Sequence, residues 1–321
     1  MRKLGCLGLL LILAGIVAGF VALQLWGGPG PARRNTTVQI ADGTSLASAS
    51  AQLEKAGAIR SATQFRLFAR LFGSGAAIKA GEYRIPAHLS ASDVLKLLQG
   101  GKTLQRMVTI PEGWPSVLVA QAIMKADGMT GKVSPPIEGT VLPDSYAFDR
   151  DQPRQALLDR MQGAMVRYLA QAWSNRAPNI AVHTPREALI LASIVEKETG
   201  KPEERRMVAA VYSNRLKLGM KLQADPTIIY PHTRGLPLGK RIPGPWVTEQ
   251  NGYNTYAMVG LPAGPICNPG RASIDAVLNP AQSNALYFVA DGSGGHVFAD
   301  TLEQHNANVA KWRAYRAAHG I

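Results

Sequence analysis

Glu196 and Glu198 stand two residues apart at the end of a segment that is otherwise almost entirely apolar. A carboxyl group can deliver a proton to a leaving oxygen near neutral pH only if something keeps its proton on. The preceding residues supply a reason. Thr184-Pro185-Arg186-Glu187 is a capping box with proline at the first helical position, so a helix begins there. It runs through Ala188 to Val195, apolar on nearly every face, and stops at Gly200 with Pro202 beyond. The last turn is therefore acidic, and the helix macrodipole disfavours a carboxylate at a C-terminus by about 0.3 to 1 kcal/mol. That penalty falls on the ionised form and raises the pKa. At about 100° per residue the two side chains point about 200° apart, so both cannot face one cleft. Glu198 continues the stripe Leu191, Ile194, Val195 and is the preferred acid. Glu196, which follows Leu189, Ala192 and Ser193, is the alternative acid, and two solvated carboxylates at a helix end remain the bland reading.

The chain that must position this helix end has 321 residues, 46% of them apolar and 18% charged, enough to bury a sizeable core. Its formal charge of +13 suggests a nucleic acid, an anionic membrane surface or an anionic polymer as neighbour. Cys6 and Cys267 lie at opposite ends of the chain, which excludes a disulfide framework and a multi-cysteine zinc site. The six histidines show no HExxH or paired ligand spacing, so neither a catalytic metal nor a cofactor is expected.

After Arg2 and Lys3 the chain runs from Leu4 to Trp26 without a charge. That length of helix, about 34 Å, matches a hydrocarbon core about 30 Å thick. The expectation is a single membrane span over 4–26, with residues 1–3 cytoplasmic and everything after Trp26 across the membrane. A cleaved signal peptide is the weaker reading, because its apolar region is typically shorter. Export also removes nucleic acid as a partner. Residues 27–37 hold glycines, prolines and arginines and read as a linker.

Val38, Ile40, Asp42, Gly43, Lys55 and Ala56 correspond, at an offset of 70, to Val108, Ile110, Glu112, Gly113, Lys125 and Ala126. Each copy reads as a short strand, a turn and a helix. Helices around Ala62 to Phe72 and from Ser90 to Leu98, with a strand at Gly81 to Ile85, complete a small α+β module over 38–105. The rest, 106–321, shows no further linker and is taken as one larger α+β domain. Its stretch from Gly219 to Gly270 is rich in Gly, Pro, Asn and Tyr and poor in periodicity, as site-bearing segments commonly are. Gly292 to His296 reads as a hairpin turn.

Leu191 to Thr199, together with Tyr212 to Leu216, Leu222 to Thr227, Tyr253 to Tyr256, Gly260 to Pro269 and Tyr287 to Ala290, closely resembles the endolytic murein transglycosylase family, also called MltG or YceG-like. The likeness extends over essentially the whole chain, including Glu138 to Asp144, although Thr140 and Ser145 depart from the family's pattern. The resemblance implies that the small module is LysM-like and that the larger domain is a lytic transglycosylase. It would cut the N-acetylmuramic acid to N-acetylglucosamine bond of nascent glycan strands in the periplasm, leave a 1,6-anhydro end and terminate elongation. It also implies Glu198, followed by the small hydroxyl residue Thr199, as the catalytic acid. Peptidoglycan strands, inner-membrane lipid and cell-wall synthases are the expected partners.

Around Glu198 the polar groups suited to orienting sugars are Gln223, Asp225, Tyr230, Tyr253, Asn254 and Tyr256, with Asn214 and Arg215 behind them. Asp225 could be a second carboxylate or a turn residue ahead of Pro226. Two rivals stay open: a noncatalytic peptidoglycan-binding scaffold for synthases, and ordinary hydrolysis.

Overall fold

The computed structural model describes the backbone of residues 2–320 and the side chains of residues 12–320. The fold is mixed, with helices and small two-stranded sheets, and the chain divides into two compact units, residues 1–106 with 147–151 and residues 107–146 with 152–321.

The first unit begins with α1 (Arg2–Gly27), the segment expected to span a membrane. The side chains of residues 4–11 fall outside the described set. Among the described residues no helix is long and apolar enough to cross a membrane. From Ile12 to Leu23 the large apolar side chains, Ile12, Ile16, Phe20 and Leu23 among them, are exposed. Trp26 is buried instead, packed on Phe65 and Phe68 at 5.9 and 6.0 Å between ring centroids.

Residues 27–37, expected as a linker, are held against this unit. Gly30 N donates to His88 O, His88 N to Ala32 O, and the Arg60 guanidinium to Pro29 O. These pairings use backbone groups of the neighbouring chain and need no apolar side chains. Then β1 (Thr36–Ile40) pairs antiparallel with β2 (Gly81–Ile85), Val38 opposite Tyr83. Val38, Ile40, Tyr83 and Ile85 are buried, the alternation expected of half-buried strands. Three helices, α2 (Leu46–Lys55), α3 (Ala62–Phe72) and α4 (Ala91–Gly100), each open on a serine whose hydroxyl accepts a backbone N–H. They contribute Leu53, Phe65, Val94 and Leu98 to the same core.

The chain then passes through β3 (Arg106–Thr109), α5 (Ser116–Lys125) and β4 (Ser145–Phe148), the division between the units falling within both strands, to the long α6 (Arg154–Ser174) of the second unit. Gly43 and Gly113 both sit at positive φ, 71° and 72°, so the strand, turn and helix of the 70-residue correspondence share a left-handed turn that favours glycine. The core is built around α7 (Pro185–Glu198), with α8 (Arg205–Lys217) and α11 (Arg271–Leu278) against it. Between them come α9 (Asp225–Thr233) and the short α10 (Gly244–Thr248). The chain closes with a hairpin, β5 (Tyr287–Ala290) and β6 (His296–Ala299), and α12 (Leu302–His319), which packs on both strands.

Candidate active site

Thr184 caps α7 by accepting from Glu187 N at 3.1 Å, with Pro185 next in place. All eight residues from Ala188 to Val195 are buried. Burial on every side pins the helix's rotation and axial position, so its last turn reaches a fixed place. There the two glutamates part. Glu196 accepts Gly270 N–H at 2.9 Å and lies 3.8 Å from the Arg205 guanidinium, with its side chain only 6% exposed. It is a satisfied carboxylate.

Glu198 turns the other way, into a cleft of about 420 Å³ lined by Arg215, Leu222, Gln223, Asp225, Tyr256, Phe288, Val289 and His305. Its Oε1 is buried and has no hydrogen-bond partner, while the Tyr212 hydroxyl hydrogen-bonds to the carboxyl group. Burial pushes its pKa up to about 7 and the Asp225 charge adds to the rise; Tyr212 and Arg215 oppose it. The leading cause is therefore loss of water, where the sequence pointed first to the helix macrodipole. A carboxyl in this state still carries much of its proton at neutral pH and has an oxygen free to engage a bound group.

Two arms of irregular chain make the cleft's polar wall. The Arg215 guanidinium donates to Leu222 O at 2.8 Å and to Lys221 O at 3.3 Å, and its Nε donates to Leu286 O at 2.7 Å. One buried cation thus clamps the segment before Asp225 to the strand side of the cleft. Gln223 has φ of +55°, unusual for a side-chain-bearing residue, and its N–H donates to Thr255 O at 3.1 Å. Thr227 and Thr255, fully buried, share a hydroxyl–hydroxyl bond of 2.8 Å, and Thr255 Oγ1 accepts Ala224 N–H at 3.0 Å. These bonds tie the Leu222 to Thr227 arm to the Tyr253 to Tyr256 arm. Across that junction the Tyr256 hydroxyl donates to Asp225 Oδ1 at 2.7 Å.

Of the residues expected around the acid, Gln223, Asp225 and Tyr256 line the cleft with Glu198. Tyr230, Tyr253, Asn254 and Asn214 do not. Asn254 is fully buried and its Nδ2 donates to the carbonyls of Trp246, Val247 and Glu249, so it holds a loop. The Asn214 amide donates to Ser283 O and Ala285 O. Tyr230 packs on Tyr253 at 4.9 Å and its hydroxyl faces Glu138 at 3.4 Å, a separate buried polar cluster. Backbone carbonyls take up the Asn214 and Asn254 amide nitrogens, and the Tyr230 hydroxyl faces the Glu138 carboxylate.

Phe288 and Val289 lie in the Tyr287 to Ala290 block that carries the family resemblance, but nothing in their spacing or in that of His305 marks them as cleft residues, since tertiary packing alone brings β5 and α12 to the cleft. Tyr212 packs in the core around α7, and its hydrogen bond to Glu198 gives it a second part. The His296 ring pairs with Glu204 at 2.7 Å. Burial alone would raise the Glu204 pKa, but hydrogen bonds from His296 and Thr199 hold it below the ordinary value. Thr199 Oγ1 reaches Glu204 at 3.2 Å, so this group sets the turn just past Glu198. Gly295 passes so close that a Cβ there would collide with Glu204 Oε1 and Lys201 Nζ. Among the described residues no three His, Cys, Asp or Glu side chains stand together as a metal site.

The sequence matches the model of the YceG-like family over residues 38–311. A protein of Streptococcus pneumoniae serotype 2 (strain D39 / NCTC 7466) named endolytic murein transglycosylase is 30% identical, the alignment covering 87% of this chain and 58% of that protein. One of the same name from Bacillus subtilis (strain 168) is 28% identical over 87% of this chain and 85% of its own. The chain thus spans less than two thirds of the length of the pneumococcal relative. A crystal structure of a YceG-like protein from Listeria monocytogenes superposes with a TM-score of 0.53 at 26% identity, covering 85% of this chain and 98% of that one.

Proposed function

The chain belongs to the YceG-like family, and on that premise we propose that it is an endolytic peptidoglycan lytic transglycosylase in which Glu198 serves as both acid and base. The observation that carries this reading is the Glu198 carboxyl itself, with one buried unpaired oxygen and a pKa raised to about 7 in an open cleft. Glycosidases usually employ two carboxylates, one to protonate the leaving oxygen and one to attack or stabilise the anomeric carbon. In this cleft the other carboxylate is Asp225, held by Tyr256, and its charge helps Glu198 keep its proton.

Protonated Glu198 gives its proton to the oxygen linking N-acetylmuramic acid to N-acetylglucosamine as the bond to C1 breaks. The substrate's acetamido group or ring charge distribution supports the oxocarbenium-like state. Glu198, now a carboxylate, removes the proton of the muramic C6 hydroxyl, and that oxygen closes on C1. The 1,6-anhydro product forms without water, and the acid is restored. A tethered hydroxyl outcompetes water because its effective molarity, when well held, reaches on the order of 10⁵ M or more.

The same reading places the protein in the inner membrane, with α1 as a single span, its N-terminus cytoplasmic and the rest periplasmic. Arg2 and Lys3 ahead of an uncharged run support this, as do the exposed apolar side chains from Ile12 to Leu23. The first unit acts as a LysM-like glycan grip, and cutting of nascent strands beside cell-wall synthases ends their elongation.

The test is product analysis by mass spectrometry, using the full chain and uncrosslinked glycan strands. Wild type is expected to release 1,6-anhydro ends, Glu198→Gln none, and Glu196→Gln to retain them. Reducing ends carrying solvent oxygen would replace transglycosylation with hydrolysis. Binding without any cleavage would leave the scaffold reading.

A further inference from the structure

Five buried side-chain nitrogen or oxygen atoms among the described residues have no hydrogen-bond partner, and two of them, Glu198 Oε1 and His305 Nδ1, belong to residues that line the same cleft. Buried polar atoms are normally paired, so each orphan calls for a reason. The acid role accounts for Glu198. Nothing in the proposed proton transfers uses His305.

His305 enters from the first turns of α12, and its ring stacks on Tyr287 with centroids 5.2 Å apart and planes 24° from parallel. The Arg215 guanidinium also sits over the Tyr287 ring, at 5.3 Å. The imidazole is thus held between Tyr287 and the cleft, and burial together with the Arg215 charge lowers its pKa, which favours the neutral ring. Phe288 and Val289 add apolar surface to the same cleft. Phe288 meets the Tyr212 ring edge-on at 5.8 Å, and Tyr212 in turn holds Glu198, which ties this patch rigidly to the acid.

A neutral nitrogen able to make one hydrogen bond, set in apolar surface, calls for a ligand group that joins an uncharged polar atom to a methyl. A hydroxyl would use the nitrogen and waste the apolar surface. A carboxylate would meet Glu198 and Asp225 and gain no ion pair from a neutral ring. An N-acetyl group satisfies both features. We propose that His305, Phe288 and Val289 form a subsite for the acetamido group of an amino sugar bound against Glu198. This rests on the reading of the cleft as a glycan site and says which sugar substituent it selects.

The experiment measures binding by calorimetry on the full chain carrying Glu198→Gln, with two neutral β-1,4-linked tetrasaccharides that differ in the acetamido group: chitotetraose and cellotetraose. The parent should prefer chitotetraose. Adding His305→Phe, which keeps a ring for Tyr287 and removes the nitrogen, should weaken chitotetraose about 5- to 10-fold, the scale of one hydrogen bond, and change cellotetraose less than about 2-fold. His305→Gln should recover part of the loss. The inference is overturned if the parent shows no preference, if His305→Phe leaves chitotetraose binding unchanged, or if it weakens both sugars equally. Anhydro ends released by Glu198→Gln alone would strike down the proposed chemistry and leave this selectivity measurement standing separately.

Discussion

The two sides of the last turn of α7 carry the same functional group in opposite surroundings. On one side Glu196 has a backbone N–H at 2.9 Å and a guanidinium at 3.8 Å, and its role is to join the α7 end to Gly270 and Arg205. On the other, Glu198 has a tyrosine hydroxyl, a buried oxygen with no partner and a cleft in front of it. Burial alone does not separate them, as a third carboxyl makes plain. Burial raises the pKa of Glu138 too, yet it accepts from Ser116 N, Ser116 Oγ, Asn268 Nδ2 and the Tyr230 hydroxyl. What distinguishes Glu198 is burial without enough donors, next to open space. A carboxyl so placed has proton and lone pairs available for a ligand, whereas one surrounded by donors is structural.

The largest expected effect tests that contrast directly. Glu198→Gln should lower turnover by about 10² to 10⁴ or more, the scale of a lost general acid, with thermal stability unchanged or improved. Glu196→Gln should keep turnover per folded molecule within about 3-fold and lose about 1 to 3 kcal/mol of stability by urea denaturation, because the half-buried Arg205 keeps only Glu112, at 3.9 Å, as an acidic partner. If both variants lost activity alike, the division between the two sides would fail.

A second effect is sharper but smaller and concerns pH. Turnover should decline as pH rises through about 7, where Glu198 gives up its proton. Removing the neighbouring charge with Asp225→Asn should move that alkaline limb to lower pH, since the Asp225 charge is one of the causes that raise the Glu198 pKa. Stability follows with a definite sign. The folded state holds the Glu198 proton up to about 7, above its ordinary value of 4.5, so it binds more protons than the unfolded chain between those values. This group's contribution to stability is complete below that window and is lost as pH rises through it. Glu198→Gln lacks the dependence, and its Tm advantage over wild type should grow from roughly pH 5 to 8.

The smallest effect belongs to Tyr256→Phe, which deletes the 2.7 Å bond to Asp225 and leaves the ring. A loss of about 3- to 10-fold in kcat/KM is expected, the scale of one hydrogen bond. An effect as large as that of Glu198→Gln would mean that Asp225 and Tyr256 take part in proton transfer themselves.

Much of the frame was legible along the chain. The Thr184 cap, the apolar run behind it, the helix over Ala62–Phe72, the strand at Gly81–Ile85 and the turn at Gly292–His296 all depend on neighbours within a few residues, so local pattern suffices. The 200° divergence of the two glutamates was legible for the same reason. The sugar-contact residues were less so. Asn254 and Tyr256 sit two residues apart in one loop, and only the fold turns one into a carbonyl clamp and the other toward Asp225.

What the residue order determined by itself was that a buried helix would end in two carboxyls facing apart, because helical periodicity and capping are short-range geometry. What only the tertiary structure decided was which of them is left short of donors, and that Arg215 and His305 stand beside it. Those facts depend on the closure of α8, α12 and the two irregular arms around one cavity, and the unpaired state of a buried atom is a property of everything that surrounds it.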